Sequence, residues 1–174
     1  GGVGVYGLWD NLIYVEVAGY RTAKRGGFRF LSWGQPWGSE ELAGSELDGN
    51  APYWRLALQH EVGPHSIAVG TYGMIGKLFQ DANDTSLGSN RFRDLAFDIN
   101  YQYITGDHAA SLRTNWINEK QKLDRAFAQG AASNTSDTLK TFRTDVHYYF
   151  KRQWGGGLQL FKTTGSRDDL RYNT

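Results

Sequence analysis

Cysteine is absent from the 174 residues, which excludes disulfides, thiolate metal sites and covalent haem attachment within the chain. Also missing is any run of about 18 apolar residues, the length a helix needs to cross hydrocarbon. There is no excess of one charge: 19 basic against 18 acidic residues leave +1, so no bulk field points to nucleic acid or to acidic lipid. The start, Gly1-Gly2-Val3-Gly4-Val5-Tyr6, lacks a charged segment followed by an apolar core. It is not a secretory signal, and the reading is that one was removed or that the chain is an internal piece. Gly-x-Ser-x-Gly, P-loop and dinucleotide motifs are missing too, and Gly1 to Gly4 is too short to serve as the last. The expectation is a protein that is not an enzyme.

What is there folds. Hydrophobic residues make up 40% and aromatic residues 14% of the chain, which leaves no room for a disordered reading. From Phe92 to Ile104, Leu95, Phe97, Ile99, Tyr101 and Tyr103 alternate with Asp94, Ala96, Asp98, Asn100 and Gln102. That period of two is a strand with one apolar face. After a turn at Thr105-Gly106-Asp107-His108 the alternation resumes, Leu112, Thr114 and Trp116 against Arg113, Asn115 and Glu119. Three further hairpins repeat the unit, and the spacing predicts eight strands, near 3–9, 12–20, 53–61, 66–76, 92–104, 109–119, 141–150 and 156–162.

The connectors alternate strictly. Those at Asp10-Asn11, Val62 to His65, Thr105 to His108 and Lys151 to Gly155 are short, whereas 21–52, 77–91 and 120–140 are long and polar. This order predicts one all-β unit over 1–174, an antiparallel up-and-down transmembrane β-barrel with tight periplasmic turns and large external loops. The negative mean hydropathy is compatible with it, because only alternate side chains of such strands meet lipid. Trp9, Tyr53, Trp54, Trp116, Tyr149, Phe150 and Trp154 fall where aromatic girdles at the membrane interfaces are expected. With the short turns periplasmic, both ends of the chain lie outside, so the eight strands are expected to be part of a larger barrel in a bacterial outer membrane.

The face opposite the apolar residues is the candidate lumen lining: Glu16, Arg55, Gln59, Glu61, Asp94, Asp98, Asn100, Arg113, Asn115, Glu119, Arg143, Asp145 and His147. Mixed in sign, these residues either pair as a wall of salt bridges or line a water-filled pore with selectivity for solutes or ions. His60, His65, His108 and His147 are dispersed without metal-ligand spacing. His65 and His108 occupy two of the short turns and are the only candidates for a cofactor contact, with rim residues as the plainer reading. Asp168-Asp169 lies in a polar tail and reads as solvated.

Several phrases carry a resemblance. Asn50-Ala51-Pro52-Tyr53-Trp54-Arg55-Leu56-Ala57, Gly63-Pro64-His65-Ser66 with Val69-Gly70-Thr71-Tyr72-Gly73-Met74, Arg91-Phe92-Arg93-Asp94 with Tyr101-Gln102-Tyr103, Ser133 to Lys140, and Thr163-Thr164-Gly165-Ser166 resemble the C-terminal barrel region of bacterial outer-membrane porin-like proteins fused to a short N-terminal c-type cytochrome segment. The resemblance implies a porin-like barrel wall that passes solutes or sheathes a haem-bearing segment for electron transfer across the outer membrane. It implies outer-membrane lipid and a c-type cytochrome segment or subunit as partners, and no nucleic acid. It places haem c on a Cys-x-x-Cys-His motif near the mature N-terminus, and with no cysteine here no haem-attaching residue carries over. Two other readings stand beside it: a soluble lipocalin-like ligand-binding β-barrel with the faces inverted, and an outer-membrane hydrolase with a Ser/His pair at the rim.

Overall fold

The computed structural model describes residues 1–22, 46–81, 84–151 and 153–172. Alternation of apolar and polar side chains resolves into eight strands: β1 (Gly2–Trp9), β2 (Ile13–Tyr20), β3 (Ala51–Val62), β4 (His65–Phe79), β5 (Ser89–Ile104), β6 (His108–Lys122), β7 (Ser136–Phe150) and β8 (Trp154–Gly165). Each pairs antiparallel with its sequence neighbour, giving one sheet in the order β1 to β8. The sheet is open: β1 and β8 do not pair with each other.

Turn chemistry fixes the register. Asp10 and Asn11 both take positive φ, 52° and 51°, with Leu12 N–H donating to Trp9 O at 3.0 Å. That is a type I′ turn, whose twist matches the flanking strands. Gly63, φ 56°, precedes Pro64 in a two-residue turn closed by Val62 opposite His65, the glycine-first arrangement of type II′.

The ladders at the other end run further than the hydrophobic pattern. β4 continues to Phe79 and β5 begins at Ser89, so the 77–91 loop contracts to 80–88; β6 to Lys122 and β7 from Ser136 contract the 120–140 loop to 123–135. Backbone pairing persists there after the side chains have ceased to alternate in polarity. Most of the third long connector, 21–52, lies outside the described residues, although Leu47 bridges Leu78 at its end. The 123–135 loop carries a helical turn, α1 (Asp124–Ala128). With it, Leu123, Ala126 and Ala132 form a small buried cluster against Phe92.

Candidate functional site: the polar face of the sheet

Cross-strand partners share a face, so the register assigns every strand side chain. Glu16 stands opposite Arg55, Arg55 opposite Tyr72, Asp98 opposite Asn115, and Asn115 opposite Arg143. Asn100 faces Arg113, Arg113 faces Asp145, and Asp145 faces Gln159. The same ladders carry Gln59, Glu61, Asp94, Glu119 and His147. All the residues singled out in the sequence as one polar lining therefore lie on one face. Tyr53 and Tyr149, expected in the girdles, lie on this face as well, because each directly precedes or follows an apolar-face aromatic.

Acids are sorted between the faces. Every acid within a strand, Glu16, Glu61, Asp94, Asp98, Glu119, Asp137 and Asp145, falls on the polar face; the apolar face has none. Burial is sorted too. Ala57, Ala96 and Asp98 are 4%, 0% and 5% exposed on the polar face, whereas Leu58, Phe97 and Trp116 on the other are 50%, 58% and 60% exposed. Away from the long-loop end no second layer of described residues covers either face, so the polar side chains converge and shelter one another while the apolar ones splay outward.

Convergence shows in bonds that skip a strand. Arg55 on β3 grips Asp98 on β5 through two bonds of 2.7 Å, passing over Gly70 of β4. A Cβ at Gly70 would stand 3.0 Å from both the Arg55 Nη2 and the Asp98 Oδ2; glycine makes the crossing. Asn100 Nδ2 donates to Asp98 at 2.8 Å, and Tyr72 O–H reaches across β5 to Asn115 at 3.3 Å. The Arg55 guanidinium lies 5.7 Å from the Tyr72 ring centre. Rings continue from there: Tyr72 to Tyr53 at 6.2 Å and Tyr53 to Tyr20 at 6.3 Å. At the other side Arg143 donates to the Gln159 amide oxygen at 2.8 and 2.9 Å. There His147 and Tyr149 lie over Gly157 and Gly155, the glycines directly opposite them, beside an open depression of about 510 Å³.

At the long-loop end this face is covered by the chain itself. Asn90 Oδ1 accepts the Arg125 and Ala126 amides at 3.2 Å, and its Nδ2 donates to Gln80 at 2.6 Å. Gln121 donates to Glu119 and accepts from Arg171 Nη1 at 2.9 Å and Tyr172 O–H at 3.1 Å. Asp168 closes the assembly: its carboxylate accepts the backbone amides of Ser133, Leu170 and Arg171 at 3.0–3.2 Å. The reading of Asp168-Asp169 as solvated is thus corrected for Asp168, which is fully enclosed, while Asp169 remains exposed beside Arg167. Enclosure pushes the Asp168 carboxyl up, but these donors outweigh it and hold the group below the usual carboxylate range. A pair of aspartates in a polar tail gave no sign of this, since the partner Ser133 is 35 residues distant.

His65 and His108 lie on the apolar face at the short-turn end, one on each of two hairpins. His65 Nδ1 is 2.7 Å from the Tyr101 hydroxyl, and His108 Nδ1 is 2.7 Å from that of Tyr148. Each imidazole also packs on the ring directly opposite, Tyr103 or Phe150. Among the described residues no group of three or more His, Asp or Glu side chains is placed to hold a metal, and without cysteine no haem c can be attached to this chain. No family model, no curated protein and no solved structure matches the chain.

Proposed function

We propose that this sheet is part of the wall of a transmembrane β-barrel of the outer-membrane type, with its apolar face in lipid and its polar face lining an aqueous lumen. The observation that carries the reading is the sorting of acids: a sheet face broad enough for eight strands, rich in exposed large hydrophobics, bears no acid anywhere along its strands. An exposed apolar area of that extent marks a surface that meets lipid or protein.

Dimensions and satisfied hydroxyls agree. On β5 the apolar face runs from Leu95 to Tyr103, which at ~3.4 Å per residue and a tilt of ~40° covers roughly 20 Å of the ~25 Å apolar band of such barrels. Within the band Thr114 and Thr144, directly opposite, bond each other at 2.9 Å, and Thr71 donates to Ala96 O at 2.9 Å. Hydroxyls that satisfy one another suit a solvent that offers no partners. A soluble lipocalin-like barrel would instead shelter its apolar face, and here the polar face is the sheltered one.

The lumen passes solutes or sheathes a haem-bearing segment of the parent protein or a partner. Only the resemblance supports the second role. Reconstitution of the full-length protein tests the wall itself: it should insert into phosphatidylcholine vesicles and resist extraction at alkaline pH. A protein that stays monomeric in detergent-free buffer and leaves vesicles intact overturns the reading. Sugar-driven vesicle swelling then reports solute passage, and c-type haem absorbance in the purified protein reports the sheath.

A further inference from the structure

The near-zero net charge conceals a local excess. On the apolar face five of the seven strand cations gather at the long-loop end; the other two, Lys140 on β7 and Lys162 on β8, stand level with Leu95 and Phe97. Lys77, Arg91 and Lys122 stand directly opposite one another across β4, β5 and β6. Arg93 and Lys120 form a second row two residues nearer the middle. All five are exposed. None makes an ion pair among the described residues. The nearest acid is Asp48, whose N–H donates to Lys77 O at 2.9 Å; its carboxylate accepts the Ser89 hydroxyl at 2.7 Å and forms no ion pair with the five cations.

Directly opposed like charges destabilise a sheet, and here three such pairs adjoin with no acid between them. A solvated rim needs no such arrangement, since mixed signs serve solubility better. The opposite end of the same face provides the contrast: it finishes in His65, Tyr103, His108 and Phe150, with no paired cations. One boundary of the apolar band is built of aromatic rings and the other of directly opposed cations.

We infer that the two rows bind the phosphate groups of lipid headgroups in the leaflet at the long-loop end. This rests on the barrel-wall reading above. With strands ~4.8 Å apart, the three-strand row spans about 10 Å, a headgroup's width. Arginine at its centre offers paired N–H donors to phosphate oxygens, and the flanking lysines supply point charges. The apolar residues below, Leu95 and Phe97, would meet the acyl chains of the same lipid.

The full-length protein is to be placed in phosphatidylcholine bilayers with and without a minor fraction of a phosphomonoester lipid, and the co-purifying lipid counted by native mass spectrometry. Retention of the phosphomonoester lipid should exceed that of phosphatidylcholine and fall roughly fivefold for each cation removed in R91Q/K122Q and R93Q/K120Q, with K151Q at the other end unchanged. Removing opposed like charges should leave folding in neutral bilayers intact or improved, which is read by thermal unfolding. Insertion into neutral bilayers with equal retention by all variants overturns this inference and leaves the wall standing. Failure to insert anywhere overturns both. Displacement of the lipid by an equal concentration of inorganic phosphate would mark a soluble-anion site and overturn the lipid assignment.

Discussion

At the scale of single residues, the polar face depends on glycine as much as on charge. Gly70 leaves the space through which Arg55 reaches Asp98, and its neighbour Ala57 Cβ is only 3.1 Å from where a methyl would sit. Gly70→Ala should therefore cost about 1–3 kcal/mol, the range for overpacking a filled site. Asp98→Asn should cost about 1–3 kcal/mol through loss of charge-assisted bonds. Because both act on one bridge, the double variant should lose less than the sum; denaturant unfolding in lipid micelles measures this, and strict additivity would place the Gly70 effect elsewhere. Asp168 makes a pH-dependent case. Its folded-state pKa lies below the unfolded value of ~3.9, so its contribution is fully present above that value and is lost as pH falls through the lower, folded one. Exchange of the Ser133, Leu170 and Arg171 amides should accelerate beyond its intrinsic pH trend on acidification below about pH 4, and Asp168→Asn should abolish that extra acceleration. The same trend in the variant would exclude Asp168 as its source.

At the scale of elements, each strand presents two chemistries at a period of two, and the two faces should respond oppositely to one new charge. Phe97→Arg, in the middle of the exposed apolar face, should cost about 2–4 kcal/mol in a bilayer. Gln102→Arg, exposed on the polar face, should stay within ~0.5 kcal/mol, as surface changes do. Equal effects in vesicles would mean that lipid does not meet the Phe97 face. This alternation is also why strands and faces were readable in the sequence: Leu95-Ala96-Phe97-Asp98-Ile99 admits one register only. Strand ends were not readable, because Lys77 to Phe79, Ser89 to Arg91 and Ser136 to Lys140 lack the alternation while their backbones still pair. The inward-folded 123–135 loop was equally hidden. Its anchors, Asn90 to Ala126 and Asp168 to Ser133, join residues 36 and 35 apart, and no local pattern announces such pairs.

At the scale of the molecule, the unresolved tension is in the edges. β1 and β8 are paired on one side only, and Val5, Leu158 and Phe161 beside the free edges are 71%, 64% and 67% exposed. A free row of N–H and C=O groups is untenable in hydrocarbon, where each unsatisfied group costs several kcal/mol. In a membrane, then, either the two edges meet and close a narrow barrel, or other strands pair with each. Eight strands would suffice for closure, yet the sheet is open, so the two arrangements differ in whether β1 and β8 meet. The absence of native cysteine gives a clean assay. Val15 and Leu56 are opposed on the apolar face, and Gln59 N–H donating to Leu12 O places them at a non-hydrogen-bonded pair, the close-approach position at ~4.5 Å between Cα atoms. V15C/L56C should oxidise to a disulfide in the inserted full-length protein, within the Cα range such a bond tolerates. V5C/L158C should not, if other strands lie between those edges. A disulfide in the second pair would show that β1 and β8 meet, reducing the polar face from a pore wall to a filled core of side chains.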